Sequence, residues 1–196
     1  IIGGGFTGFG AAIPLARAGL DVVILERDQI GSGASTRNGG ITSGNLRLSF
    51  DDLSKKFGAK KATAFFLEAK AARADLAQFI TSEKIDCDLQ QSGRLVGALR
   101  PESLDSMKRD AERLTKLLDI KATVYDRASL PDYIDTSRYC GGMMRDDIGG
   151  IHPAKLLAGM CQIARATSVK IITQTKMIAV SQQSTSSPTP KFCVET

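Results

Sequence analysis

Ile1-Ile2-Gly3-Gly4-Gly5-Phe6-Thr7-Gly8, at the head of a 196-residue chain, ends a short apolar run in a cluster of glycines and leads directly into helical periodicity. The spacing is Gly3-x-Gly5-x-x-Gly8, and its place between a strand and a helix is the context in which it carries a mechanism. Gly3 permits a tight turn, Gly5 leaves room for a pyrophosphate against the backbone, and Gly8 lets helix and strand pack closely. Phe6 and Thr7 belong to the first helical turn, whose free N–H groups favour negative charge. The helix is predicted to run to about Ala18, and Asp21-Val22-Val23-Ile24-Leu25-Glu26 reads as a buried second strand. This β-α-β unit puts Glu26 eighteen residues after Gly8, where a carboxylate accepts hydrogen bonds from a ribose diol. Arg27 is placed to meet a 2′-phosphate instead, but Glu26 repels that group, so a dinucleotide with a free 2′-hydroxyl is favoured.

From Asp28 to Asn45 the chain is rich in Gly and Ser without apolar period, a loop too long for a mere connection and therefore read as functional. A single long helix is predicted from Ser49 to about Lys84, with Ser49 and Asp52 as a capping pair. Gly93 to Leu99 reads as a strand, and Pro101 opens a helix to about Leu118. Residues 139–152 read as irregular, Pro153 opens a helix to about Ala166, and Val169 to Val180 gives one or two β-branched strands. A polar turn is expected at Ser184–Pro190, followed by a short strand from Lys191 to Glu195.

At 42% hydrophobic and 24% charged residues the chain can bury a core of one domain or somewhat more. No apolar run approaches the roughly 18 residues of a membrane span, and no basic leader precedes the first strand, so a cytoplasmic protein is expected. The net charge of +5 is spread among acids along helices, which reads as solvated faces and not as a nucleic-acid surface. Cys87, Cys140, Cys161 and Cys193 lack metal-site or disulfide spacing and are expected to be buried reduced thiols, with no metal bound.

The segment Gly31-Ser32-Gly33-Ala34-Ser35-Thr36-Arg37-Asn38-Gly39-Gly40 resembles the second nucleotide-contacting loop of the FAD-dependent D-amino-acid oxidase superfamily, in particular its gamma-glutamylputrescine oxidase-like branch. Further blocks keep the same order: Ile85-Asp86-Cys87-Asp88 before Ser92-Gly93-Arg94-Leu95, then Tyr139-Cys140-Gly141-Gly142, then Gly149-Gly150-Ile151-His152-Pro153-Ala154-Lys155-Leu156. The resemblance implies an α/β fold with a Rossmann-like FAD-binding domain of the GR2 type and part of an α+β substrate domain. Residues 1–84 would form the FAD-binding part, 85–148 part of the substrate domain, and 149–196 a return to the first. Gly33, Ala34, Ser35, Thr36, Arg37, Asn38, Gly39 and Gly40 are thereby assigned to FAD alongside Gly3, Gly5, Phe6, Thr7, Gly8, Glu26 and Arg27.

The implied reaction is oxidation of the C–N bond of a small amine or amino acid, by hydride transfer to FAD, to an imine that hydrolyses. No acid–base residue is obligatory for it. His152 is expected at the surface or in a cap, Arg47 as a solvated charge, and neither is assigned a catalytic part. Some relatives tether the flavin through a histidine of the second loop; Arg37 holds that place here, so the flavin is expected to be non-covalent. The chain reads as an N-terminal fragment cut at both ends and inactive alone. Two other readings stand beside this one: an NAD(P)-dependent dehydrogenase, and a non-catalytic dinucleotide-binding subunit.

Overall fold

The computed structural model describes residues 1–183 and 191–196; the turn expected at 184–190 lies outside the described residues. Along the chain the elements are α1 (Phe6–Arg17), β1 (Val23–Leu25), β2 (Ile41–Thr42), α2 (Phe50–Phe57), α3 (Ala59–Ser82), β3 (Arg94–Ala98), α4 (Pro101–Leu118), β4 (Ala122–Asp126), a 3-10 turn (Leu130–Asp132), β5 (Gly141–Arg145), β6 (Gly149–Gly150), α5 (Pro153–Ala166), β7 (Lys170–Ile172), β8 (Ala179–Gln183) and β9 (Lys191–Glu195). They divide into two compact units, one of residues 1–39, 85–87 and 152–196, the other of 40–84 and 88–151. Residues 40–84, read from the sequence with the first unit, group in the structure with the second. The reason is packing: α2 lies on α3, and α3 on α4.

Unit 1 is the α/β part. β1 runs parallel to β7, with Ile24 opposite Ile171. On its other side Ile2 bridges Leu25 in parallel, where Leu25 N–H donates to Ile1 O at 2.9 Å and Gly3 N–H to Leu25 O at 2.8 Å. Parallel neighbours need crossover helices, and α1 and α5 supply them, packing on each other with Phe9, Ala12, Leu157 and Ala164 buried. Phe9 and Ile24, at 0% exposure, each contribute about 1.5–3 kcal/mol from apolar burial. α5 starts where its proline placed it: Pro153 takes the first turn, and His152 is the N-cap, its Nδ1 accepting from Lys155 N–H at 3.4 Å. β8 and β9 pair antiparallel and are exposed along both strands.

Unit 2 holds an antiparallel sheet in the order β3-β5-β4, with α4 across it. Its core gathers Leu114, Leu118 and Ile120 against Phe66 and Ala122. The sequence pattern predicts two fewer strands for this sheet than the structure has. β4 is an ordinary Ala-Thr-Val-Tyr-Asp strand, while β5, the central one, is Gly-Gly-Met-Met-Arg and was expected to be irregular. Its glycines are low in β propensity but allow close cover, since a Cβ on Gly141 would come within 2.7 Å of the Leu104 side chain and of Tyr125 O. Arg145, 8% exposed, ends the strand in a two-pronged ion pair with Asp147 at 2.7 and 2.9 Å and a hydrogen bond to Asn45 Oδ1.

The single long helix is also corrected to two. Gly58 separates α2 from α3 at φ 86°, ψ 151°, a conformation open in practice to glycine alone. The capping pair at its start holds: Asp52 N–H donates to Ser49 Oγ at 3.1 Å. Gly58→Ala is expected to lower stability by about 1–3 kcal/mol, read as a fall in Tm, because the helix break must strain or move; an unchanged Tm refutes this. None of the four cysteines is in a disulfide, but Cys140 is partly exposed and Cys193 exposed, so only Cys87 and Cys161 are the buried thiols expected. Among the described residues no helix is long and apolar enough to cross a membrane, and no cluster of His, Cys, Asp and Glu could hold a metal.

Candidate functional site

The glycine turn, the acid and the second loop meet at the N-terminus of α1. Gly3 adopts φ 94°, which turns the chain from its pairing with Leu25 into the helix. A Cβ on Gly8 would stand 1.9 Å from Gly3 O, so helix and strand touch backbone to backbone there. Gly4, outside the three positions of the Gly3-x-Gly5-x-x-Gly8 spacing, is part of the constellation. Its N–H donates to Glu26 Oε2 at 2.7 Å, and a Cβ on it would lie 2.4 Å from Ile30 Cδ1. Glu26 Oε1 accepts from Asp28 N–H at 2.9 Å, so the carboxylate clamps both arms of the turn. Two of its roughly four acceptor sites are then used, which leaves capacity for a diol. Arg27 is exposed and paired with Asp28 at 3.0 Å.

The glycine spacing predicts space beside Gly5 for a pyrophosphate. The structure puts the Ser35 hydroxyl there, 2.8 Å from where a Gly5 Cβ would be. Ser35 Oγ accepts from Phe6 N–H at 3.1 Å and serves as the cap that Gly5, the N-cap residue, cannot supply. The partners are 29 residues apart in sequence, too far for any local pattern to reveal. Thr7 is exposed and Gly8 buried, and their N–H groups have no acceptor among the described residues.

The rest of the second loop divides by task. Thr36 Oγ1 donates to Gly31 O at 2.6 Å and Gly33 O at 3.2 Å, and Asn38 Nδ2 to Ala34 O and Ser35 O at 3.0 and 3.1 Å. These side chains shape the loop that presents Ser35. Arg37 is exposed and makes no ion pair among the described residues; Gly33, Ala34 and Gly39 are likewise exposed. Gly40, buried at φ 68°, belongs to unit 2, where its carbonyl accepts from Ile151 N–H at 2.8 Å. Arg47 is exposed and His152 is committed to its cap.

A helix N-terminus with open N–H groups, a side-chain-free turn and an acid at the end of the next strand fit the AMP and pyrophosphate half of a dinucleotide. A profile of the DAO family, FAD dependent oxidoreductase, matches residues 1–189. The chain belongs to this family of FAD-dependent oxidoreductases. FAD is the family's cofactor, which decides against the nicotinamide alternative.

Among relatives of this FAD-dependent oxidoreductase chain, gamma-glutamylputrescine oxidoreductase of Escherichia coli is 29% identical over 171 residues, 87% of this chain and 40% of its own length. A probable oxidoreductase OrdL of Rhizobium meliloti is 28% identical, covering 93% of this chain and 43% of itself. The chain thus spans about two fifths of the curated relatives it matches. Of solved structures, L-amino acid deaminase from Proteus vulgaris superposes with a TM-score of 0.76 at 21% identity, over 93% of this chain and 40% of its own. Glycine oxidase from Geobacillus kaustophilus gives 0.75 at 20%, over 92% and 47%. These last two likenesses establish the fold.

Gly5→Val is expected to expel Ser35 from the helix terminus and to leave the full-length protein with little bound FAD, measured as flavin absorbance per protein. Normal flavin content in this variant would show that the two loops need not meet.

Proposed function

We propose that the protein oxidises the C–N bond of a small amine or amino acid, with non-covalently bound FAD supplying the hydride acceptor. In this reading unit 1 holds the AMP and pyrophosphate half of the cofactor, and unit 2 is part of the substrate domain. The observation that carries it is the meeting of Gly4, Glu26 and Ser35 at the α1 N-terminus in a chain that an FAD-dependent family matches almost throughout. The relatives named for amine and amino-acid chemistry support the substrate class.

The chain's own residues bind and orient. Glu26 accepts from the ribose hydroxyls with the lone pairs that Gly4 and Asp28 leave free, and refuses a 2′-phosphate at the same place. The N–H groups of Thr7 and Gly8 face the pyrophosphate charge. Ser35 holds the second loop over that terminus, and Arg37 reaches phosphate or flavin oxygens as a hydrogen-bond donor. A guanidinium with its high pKa is a poor nucleophile, so Arg37 holds by charge and not by a covalent link.

The test uses the full-length gene product. It is expected to purify yellow, to release its flavin to the supernatant on acid precipitation, and to bleach anaerobically with at least one member of a panel of primary and secondary amines and amino acids. Flavin that stays on a peptide from residues 28–45 would overturn the non-covalent reading, and a protein that no amine bleaches would overturn the reaction.

A further inference from the structure

Two neighbouring phenylalanines of α3 point to different surroundings. Phe66 packs inward, its ring centroid 5.9 Å from that of Phe50, against the core of Leu114, Leu118 and Ile120, whereas Phe65 is 46% exposed. Phe57, the last residue of α2, is 41% exposed and meets Phe65 edge-on at 5.7 Å across the corner that Gly58 makes. The chain on either side of that corner carries Lys55, Lys56, Lys60 and Lys61, all exposed and none in an ion pair among the described residues. No carboxylate occurs from Leu53 to Leu67. Of the acids just before, Asp51 pairs with Arg113 at 3.1 Å and Asp52 accepts from the Ser49 hydroxyl at 2.6 Å; Glu68 is the first beyond.

We propose that this α2–α3 corner is a docking surface for an anionic lipid membrane, with Phe57 and Phe65 entering the interface and the four lysines meeting the headgroups. Adjoining aromatic rings held in water are what a bilayer interface accepts, and ammonium groups on long stems reach headgroup phosphates and carboxylates. Charge selects the occupant. A second copy docked two-fold on this corner would bring its own four lysines against these, and like charges oppose that pairing. A nucleic acid has the right charge but needs an open ring face for its bases; Lys56 Nζ lies over the Phe57 ring at 5.2 Å and Phe65 meets that ring edge-on. Docking of this kind needs no spanning helix.

Cosedimentation of the full-length protein with vesicles tests the surface, phosphatidylcholine alone being compared with phosphatidylcholine containing phosphatidylserine. Binding is expected to the second and not to the first, and it weakens as salt rises past about 0.1 M, where the Debye length is about 10 Å. The double variant Lys60→Gln, Lys61→Gln is expected to bind roughly ten- to thirtyfold more weakly, since each lysine near such a surface contributes about fivefold. Phe65→Ser is expected to weaken binding about three- to tenfold while keeping the wild-type salt dependence, which the lysine variant flattens. These side chains are exposed, so Tm stays at the wild-type value; should Phe65→Ser lower it, the lysine variant alone decides. No binding of the wild type to the anionic vesicles, or equal binding by the folded lysine variant, overturns the surface. Single-stranded DNA bound by the wild type and lost in Phe65→Ser, or a dimer lost in that variant, overturns it in favour of a nucleic acid or a second copy. Lipid binding is read without turnover and so stands or falls apart from the proposed function.

Discussion

Gly8→Ala in the full-length protein is expected to abolish FAD retention and to cost about 3 kcal/mol of stability, the upper end of what overpacking exacts. The added methyl would sit 1.9 Å from Gly3 O and 3.1 Å from its carbonyl carbon, both backbone atoms. Neither partner can step aside cheaply. Gly3 is held by its N–H bond to Leu25 O and already turns at φ 94°, while Gly8 is carried by a helix whose Phe9 is fully buried. Gly10, two residues further along the same helix, has nothing within 4 Å of its would-be Cβ. Gly10→Ala is therefore the control, expected to stabilise by roughly 0.5–1 kcal/mol through helix propensity alone. Flavin content and Tm measured on both variants decide the matter, and a flavin-replete Gly8→Ala would refute the close-packing account.

Glu26→Ala carries the next largest expectation, a fall in FAD affinity of more than tenfold with Arg27→Ala nearly silent. Removing the carboxylate frees Gly4 N–H and Asp28 N–H together, so the turn loses two charge-assisted hydrogen bonds as well as the acceptor for the ribose. Arg27 makes only an exposed pair with Asp28, a type worth about 0–1 kcal/mol. Fluorescence titration of the flavin-stripped proteins with FAD gives both affinities. The opposite order, with Arg27→Ala weak and Glu26→Ala normal, would transfer nucleotide selection to the guanidinium.

What is legible in the sequence is what local chemistry dictates. The turn at Gly3 to Gly8 and the acid at Glu26 follow from what each position forbids or must accept. The starts of α4 and α5 follow from Pro101 and Pro153, whose rings suit a first helical turn and no later one. β5 escaped because its Gly-Gly-Met-Met run has no strand signature of its own; β3 and β4 on either side make it one. The break at Gly58 escaped because apolar periodicity continues on both flanks. At the site, the link from Ser35 to Phe6 N–H joins residues far apart in the chain, beyond the reach of any window.

Unit 1 is assembled from three separate stretches, whereas unit 2 is interrupted only by residues 85–87. β1 therefore meets its neighbour β7 only after the whole of unit 2 has been made. The equilibrium penalty of so long an excursion is modest, since each doubling of a loop costs about 0.6 kcal/mol. Timing is another matter. At some 5–20 residues per second, Val23–Leu25 leaves the ribosome on the order of ten seconds before Lys170–Ile172. During that interval a bare hydrophobic strand edge stands open beside an unfinished turn, which is the kind of surface that chaperones guard and that aggregates when they fail. The inserted unit can settle meanwhile, whereas Glu26, whose N–H donates to Ile172 O at 2.8 Å, waits for that partner until Ile172 has emerged.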